Sequence, residues 1–124
     1  MTNCYCGTSI SFEKCCQSII EGLQKATTAE ELMRSRYSAY CVQDADYLLE
    51  TTHHSTRQFH KKEDILEWSK SNHWLKLEII SANENTVEFK AFYLDESQKA
   101  IIHHEKSTFT FEDGSWFYVD GIFY

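Results

Sequence analysis

At Trp74 the spacing of apolar residues switches from helical to alternating, which limits the chain to helices first and strands afterwards. Before it, Thr28-Ala29-Glu30-Glu31 has the form of a capping box, with a Thr hydroxyl for the amide three residues on and a Glu to reach back. The helix it opens runs to Val42 or Gln43, and its inner face collects Ala29, Leu32, Met33, Arg36, Tyr37, Tyr40 and Cys41. Asp44 suits the N-cap of a shorter helix through Tyr47, Leu48 and Leu49, and Lys61 to Asn72 reads as another, with Ile65, Leu66 and Trp68 as its apolar set. After Trp74, Leu75, Leu77 and Ile79 alternate with polar residues. Val87, Phe89, Ala91 and Tyr93 do the same beyond a turn at Asn83-Glu84-Asn85. A turn over Asp95 to Gln98, a strand over Lys99 to Phe111, a turn at Glu112-Asp113-Gly114 and a strand over Trp116 to Asp120 complete the chain. Hairpin-length turns between consecutive strands predict an α+β fold, an antiparallel sheet packed on helices.

The chain has 124 residues, enough for one domain with a real core, and 42% of them are hydrophobic. No apolar run approaches the length a membrane-spanning helix needs. The net charge is −7. Lys14 and Lys25 balance Glu13 and Glu21 within residues 1–25, so the acidic excess lies in residues 26–124. Nucleic-acid affinity comes mainly from Lys and Arg displacing counterions, and this acidic chain without a basic stripe argues against such a partner.

Four of the five cysteines fall in the first sixteen residues, as Cys4-Tyr5-Cys6 and Cys15-Cys16. Four convergent thiolates suit one tetrahedral Zn²⁺, and Gly7 permits the positive φ of a tight metal-binding turn. Disulfides are the competing reading. Met1-Thr2-Asn3 leads straight into the cysteines with no secretory pattern, so a cytoplasmic, reducing location is expected, and clustered cysteines there favour a metal. Residues 12–24 are expected to form a short helix around Cys15 and Cys16, ending at Gly22, whose Ile19, Ile20 and Leu23 dock the element on the rest of the chain. Cys41, within a helix, is expected to act as a small apolar residue.

The cysteine spacing, with Gly7 after the first pair and Phe12 before the second, resembles the SEC-C motif, a short zinc-binding element named for the C-terminus of the translocase motor SecA. Leu32 to Tyr40, Asp46-Tyr47-Leu48, Thr51-Thr52-His53, His104 to Ser107 and Trp116 to Gly121 resemble the YchJ-like family of uncharacterised bacterial proteins. That resemblance implies a SEC-C-like zinc element over residues 1–25 and a nuclear-transport-factor-2-like (NTF2-like) domain over residues 26–124, a curved antiparallel sheet closed by helices into a cone. Tyr5 and Gly7-Thr8-Ser9 stand where members often carry Pro and Gly-Ser-Gly, which removes no ligand. No second cysteine motif occurs before Tyr124, so a role needing two zinc elements is not expected. The SecA element contacts another protein, which implies by analogy a protein partner for this one.

The fold hosts enzymes and plain binding domains alike, so activity must come from the site. Arg36 is the charged residue on an otherwise apolar helix face, and burial demands a partner for it. The simpler expectation is an ion pair with Glu105 or Asp120. The functional alternative sets Arg36, Tyr40, Glu105 and Trp116 around the mouth of the cone as a site for a small anionic or polar ligand. Trp74, Phe89, Tyr93, Phe109, Phe111, Trp116 and Tyr118 serve as core or as pocket wall. Glu105, then Asp120, are the candidates for acid–base work. His103 and His104 point to opposite faces of a strand, and no pair has the i, i+4 helical spacing of zinc hydrolases. His53-His54 belongs to a loop, so all four are expected at the surface without a second metal. No nucleophile with a base, phosphate loop or dinucleotide fingerprint is present. Two functions follow as expectations: a zinc-stapled protein-contact module, or a small-molecule pocket in the cone with zinc only structural.

Overall fold

A computed structural model of the chain describes residues 3–124. Five helices, α1 (Cys16–Ile20), α2 (Ala29–Cys41), α3 (Ala45–Glu50), α4 (His54–Arg57) and α5 (Lys62–Ser71), precede four strands, β1 (His73–Ala82), β2 (Thr86–Leu94), β3 (Ala100–Glu112) and β4 (Ser115–Phe123). The strands form one antiparallel meander in the order β1-β2-β3-β4. The period-2 reading therefore gives the sheet, although β4 runs three residues beyond Asp120.

Local chemistry explains the joints. Thr28 Oγ1 accepts the Glu31 amide at 3.1 Å. Glu31 reaches back to the amide and hydroxyl of Thr27 rather than to Thr28, so the capping box is offset by one residue. Asp44 accepts the Tyr47 amide and caps α3. Asp95 Oδ1 accepts the amides of Ser97 and Lys99 and closes the β2–β3 turn. Asp113 and Gly114 both have positive φ, 52° and 80°, the combination a tight β3–β4 hairpin requires.

Alternation buries one face of the sheet: Val87, Phe89, Ala91 and Tyr93 from β2, then Glu105, Ser107 and Phe109 from β3. Register shifts interrupt β1 at Trp74/Lys76 and Ile79/Ser81, and the β3–β4 pairing at Thr108/Phe109. Bulges of this kind bend and twist a strand, so the sheet curves over α2. The first shift also corrects the alternation read from sequence, because Leu75 is turned outward and is 51% exposed. Leu32, Met33 and Tyr37 of α2 pack on the inner face, in one apolar cluster with Leu77, Phe89 and Phe109.

The helix expected over residues 12–24 is broken. A 3₁₀ turn, Phe12–Lys14, is followed by Cys15 at φ −115°, ψ −109°, and only then by α1. Gly22 (φ +82°) lies just past its end, as expected, but Leu23 is exposed and docks nothing; Ile19 and Ile20 make the contact. His53-His54 lies at the start of α4 rather than in a loop.

Gly121 of β4 is the one glycine whose lack of a side chain the sheet requires. A Cβ there would lie 2.0 Å from Oε2 of buried Glu105. Gly121→Ala should cost about 1–3 kcal/mol by overpacking, read as a lower urea midpoint; an unchanged midpoint would refute the tight contact.

Candidate functional site

Two places concentrate chemistry. The first is the N-terminal knuckle. A backbone bridge between Asn3 and Ser11, with the Cys4 amide donating to the Ile10 carbonyl at 2.9 Å, folds the segment back on itself. Gly7 follows Cys6 at φ +97°. The four sulfurs of Cys4, Cys6, Cys15 and Cys16 lie within 4.8 Å of one another. Cys6 and Cys15 Sγ are 3.8 Å apart, and Cys15 and Cys16 Sγ 4.0 Å. A tetrahedron with metal–sulfur bonds of about 2.3 Å has edges of about 3.8 Å. All four thiols are free, and Cys4, Cys6 and Cys16 are buried.

The electrostatics point the same way. A hydrogen bond from Cys16, then one from Cys6, pull Cys4 far below the ordinary thiol range; the bond to Cys4 pushes Cys16 far above it. Burial, opposed by the Thr8 hydroxyl, raises Cys15. So many sulfurs this close cannot all carry charge unless a cation sits among them. Thr8 Oγ1 is 3.4 Å from Cys15 Sγ and 3.6 Å from Cys6 Sγ, while Arg34 Nη1 donates to the Cys6 carbonyl at 2.6 Å. Those outer contacts orient the ligands and bring a positive charge beside a centre that would be anionic. The residues fit a closed, four-sulfur metal site. Cys41 is separate: burial pushes its thiol up to about 12, and it packs as a small apolar residue.

The second place is a cavity of about 210 Å³ between α2, α5 and the sheet. Arg36 and Tyr40 reach it from α2, Trp68 from α5, and Glu105 and His103 from β3. The ion pair expected of Arg36 does not form, since Asp120 is exposed and Glu105 is engaged elsewhere. Arg36 Nη1 instead donates to the Leu48 carbonyl (2.8 Å), Thr51 Oγ1 (2.7 Å) and Thr52 Oγ1 (3.4 Å). Its guanidinium carbon lies 4.6 Å from the centre of the Tyr118 ring. Among the described residues, its Nε and Nη2 and the Tyr40 hydroxyl make no hydrogen bond, yet no polar side-chain atom is both buried and unpartnered. Those three donors keep accessible surface, on two residues that line the cavity.

Glu105 accepts from Ser107 (2.6 Å) and Tyr118 (3.0 Å), and His103 Nε2 is 2.8 Å from its other oxygen. Burial acts to raise this carboxyl, but His103, Ser107 and Tyr118 together outweigh it and hold it below the usual carboxylate range. Burial raises Tyr40 and keeps it a neutral donor. At the rim, burial and then Arg36 lower His60. Tyr40, Trp68 and Trp74 wall one end, packed edge to face or tilted on one another and on Tyr93 behind them, with centroids 5.0–5.9 Å apart.

Of the ligand set read from sequence, Arg36, Tyr40 and Glu105 meet at this cavity and Trp116 does not. Trp116 pairs with Phe111 beside the β3–β4 hairpin, too near the strand end to reach it. His103 is not the surface histidine expected. His103, Glu105 and Ser107 share a face at i, i+2, i+4, a pattern that could have linked them. The clamp on Arg36 by Thr51 and Thr52 left no sequence signal, because it depends on how α3 returns to β4.

Residues 28–121 match the family described as YchJ, middle NTF2-like domain. A UPF0225 protein of Geobacter sulfurreducens is 40% identical, over 98% of this chain and 80% of its own length. One from Vibrio cholerae is 39% identical over 98% and 83%. In structure, a SEC-C motif containing protein from Rhodopseudomonas palustris superposes with a TM-score of 0.89 at 32% identity, over 98% of both chains. Another from Psychrobacter arcticus gives 0.77 at 26% identity, over 94% of this chain and 80% of its own. No helix among the described residues is long and apolar enough to cross a membrane.

The lowered Glu105 carboxyl makes an acid-side prediction. Its stabilisation is complete above the ordinary value of 4.5 and is lost as pH falls through the lower folded value. Tyr118→Phe removes one donor and lets the folded value rise, so the acid-unfolding midpoint, followed by tryptophan fluorescence, should move to higher pH. An unmoved midpoint would contradict the role given to Tyr118.

Proposed function

The chain belongs to the YchJ-like family, and from that membership we propose that it is a zinc-stapled binding protein whose cone takes up a small carboxylic acid. The observation that carries the ligand is the set of three unpaired donors, Arg36 Nε and Nη2 and the Tyr40 hydroxyl, on residues that line an aromatic-walled cavity. Glu105, the acceptor there, is already satisfied by three neighbours. A ligand must therefore bring acceptors, and an anion answers the guanidinium best. The volume of about 210 Å³ lies below the roughly 300–1,000 Å³ of drug-sized sites, which suits a single ring.

Zn²⁺ on Cys4, Cys6, Cys15 and Cys16 supplies a cross-link, with no position left for chemistry. The knuckle packs on the body through Cys4, whose Sγ is 3.6 Å from Ser38 Oγ of α2, and through Arg34. Ordering so short a segment draws on metal-binding energy, because an unfolded chain offers no preformed site. Tyr5 and Ile10, 46% and 51% exposed on the knuckle, support a further role for it as a protein-contact surface.

Benzoate and cyclohexanecarboxylate should raise the melting temperature and shift Trp68 and Trp74 indole signals, while the neutral benzamide should not. Tyr40→Phe should weaken benzoate about tenfold by loss of one charge-assisted hydrogen bond. Equal responses to acid and amide, or none, would overturn the carboxylate reading. Freshly reduced protein should contain at least one zinc per chain, and Cys16→Ser should lower the melting temperature by more than about 10 °C. Serine at both Tyr5 and Ile10 should keep that zinc and release any protein that co-purifies with the intact chain. A metal-free protein of unchanged stability would end the staple reading.

A further inference from the structure

We propose a second, open divalent-metal site formed by His53, His54 and Glu112, which takes Zn²⁺ or a similar borderline transition ion. From sequence these histidines are expected at the surface and without a metal, because adjacent residues lack chelating spacing. The third ligand comes from the far end of β3, which a local pattern cannot reveal. One donor atom from each residue lies within 4.8 Å of the others.

The backbone sets these side chains before any metal arrives. The His53 amide donates to the Tyr118 carbonyl at 2.7 Å, and the Tyr118 amide to the Thr51 carbonyl at 2.8 Å, so the segment entering α4 is bonded to β4. Thr56 Oγ1 donates to the Val119 carbonyl at 2.8 Å and holds α4 on the same strand. Glu112 pairs with Ser115 across the tight hairpin and projects toward the histidines.

An ion pair alone accounts for His53 and Glu112, whose Nε2 and Oε2 are in direct contact. It leaves His54 unexplained. His54 Nε2 is 3.8 Å from the other carboxylate oxygen, beyond a hydrogen bond, and its ring centroid lies 4.1 Å from that of His53. Two imidazoles side by side would repel as cations but can both turn a lone pair to one metal ion. His53 Nδ1 accepts the Ser55 amide at 3.2 Å and lies 2.8 Å from Ser55 Oγ, which holds the ring with Nε2 toward Glu112, where a metal ion would take the place of that nitrogen's proton. Two imidazoles and a carboxylate suit Zn²⁺, Ni²⁺ or Cu²⁺ rather than Mg²⁺ or Ca²⁺. With three protein ligands and a half-exposed carboxylate, the coordination sphere keeps a place for water.

The test is equilibrium dialysis of tag-free, full-length protein against Zn²⁺, with metal counted per chain. Wild type should hold one zinc more than His54→Ala or Glu112→Gln, and its affinity for that ion, by calorimetry on protein already holding the first, should be at least about tenfold higher. His104→Ala, which disturbs a separate, partly buried His–Glu pair (His104 with Glu88), should match wild type. Imidazole ¹⁵N signals of His53 and His54 should move on loading. Equal metal content in wild type and variants, or unmoved His53 and His54 signals, would overturn the site whatever the knuckle holds.

Discussion

A buried guanidinium without a carboxylate partner organises this molecule. Arg36 sits on the apolar face of α2, where an isolated charge would cost several kcal/mol. It is tolerated because the chain brings a helix-end carbonyl, two threonine hydroxyls and an aromatic face to it. Tyr118 faces Arg36 with its ring and Glu105 with its hydroxyl, so the charges are linked through one side chain. α2, the α3–α4 joint and two strands meet at that chain of contacts, and the cavity beside it inherits its unused donors.

Much of this was legible in order of distance along the chain. The caps at Thr28 and Asp44, the hairpin at Asp113-Gly114 and the alternation in β2 are local and read directly. The four knuckle sulfurs were legible for the same reason, since their convergence needs only one short turn. Bulges were not, and they explain why Leu75 faces outward. The partners of Arg36 and the carboxylate beside His53 were hidden because they are joined by tertiary returns: fifteen residues from Arg36 to Thr51, and fifty-nine from His53 to Glu112.

The knuckle and the cone are not independent in packing. Cys4, Cys6 and Cys16 belong to the same apolar cluster as Leu32, Met33 and Tyr37, which also back the cavity-bearing helix. Whatever orders the sulfurs therefore also supports one side of α2. This gives the N-terminal element a mechanical connection to the cone, although its four sulfurs face one another.

The short parallel bridge between Thr52 and Tyr118 has an effect beyond holding Arg36. β4 ends the meander, and a bare terminal strand offers its free amides and carbonyls to any neighbouring molecule in search of a partner. Here residues 51–53 occupy the middle of that border, and the opposite border, β1, is bent by two irregularities and carries Lys76 and Glu78. The middle of the β4 margin is thus shielded, and β1 is too irregular to present a continuous template for strand-to-strand pairing.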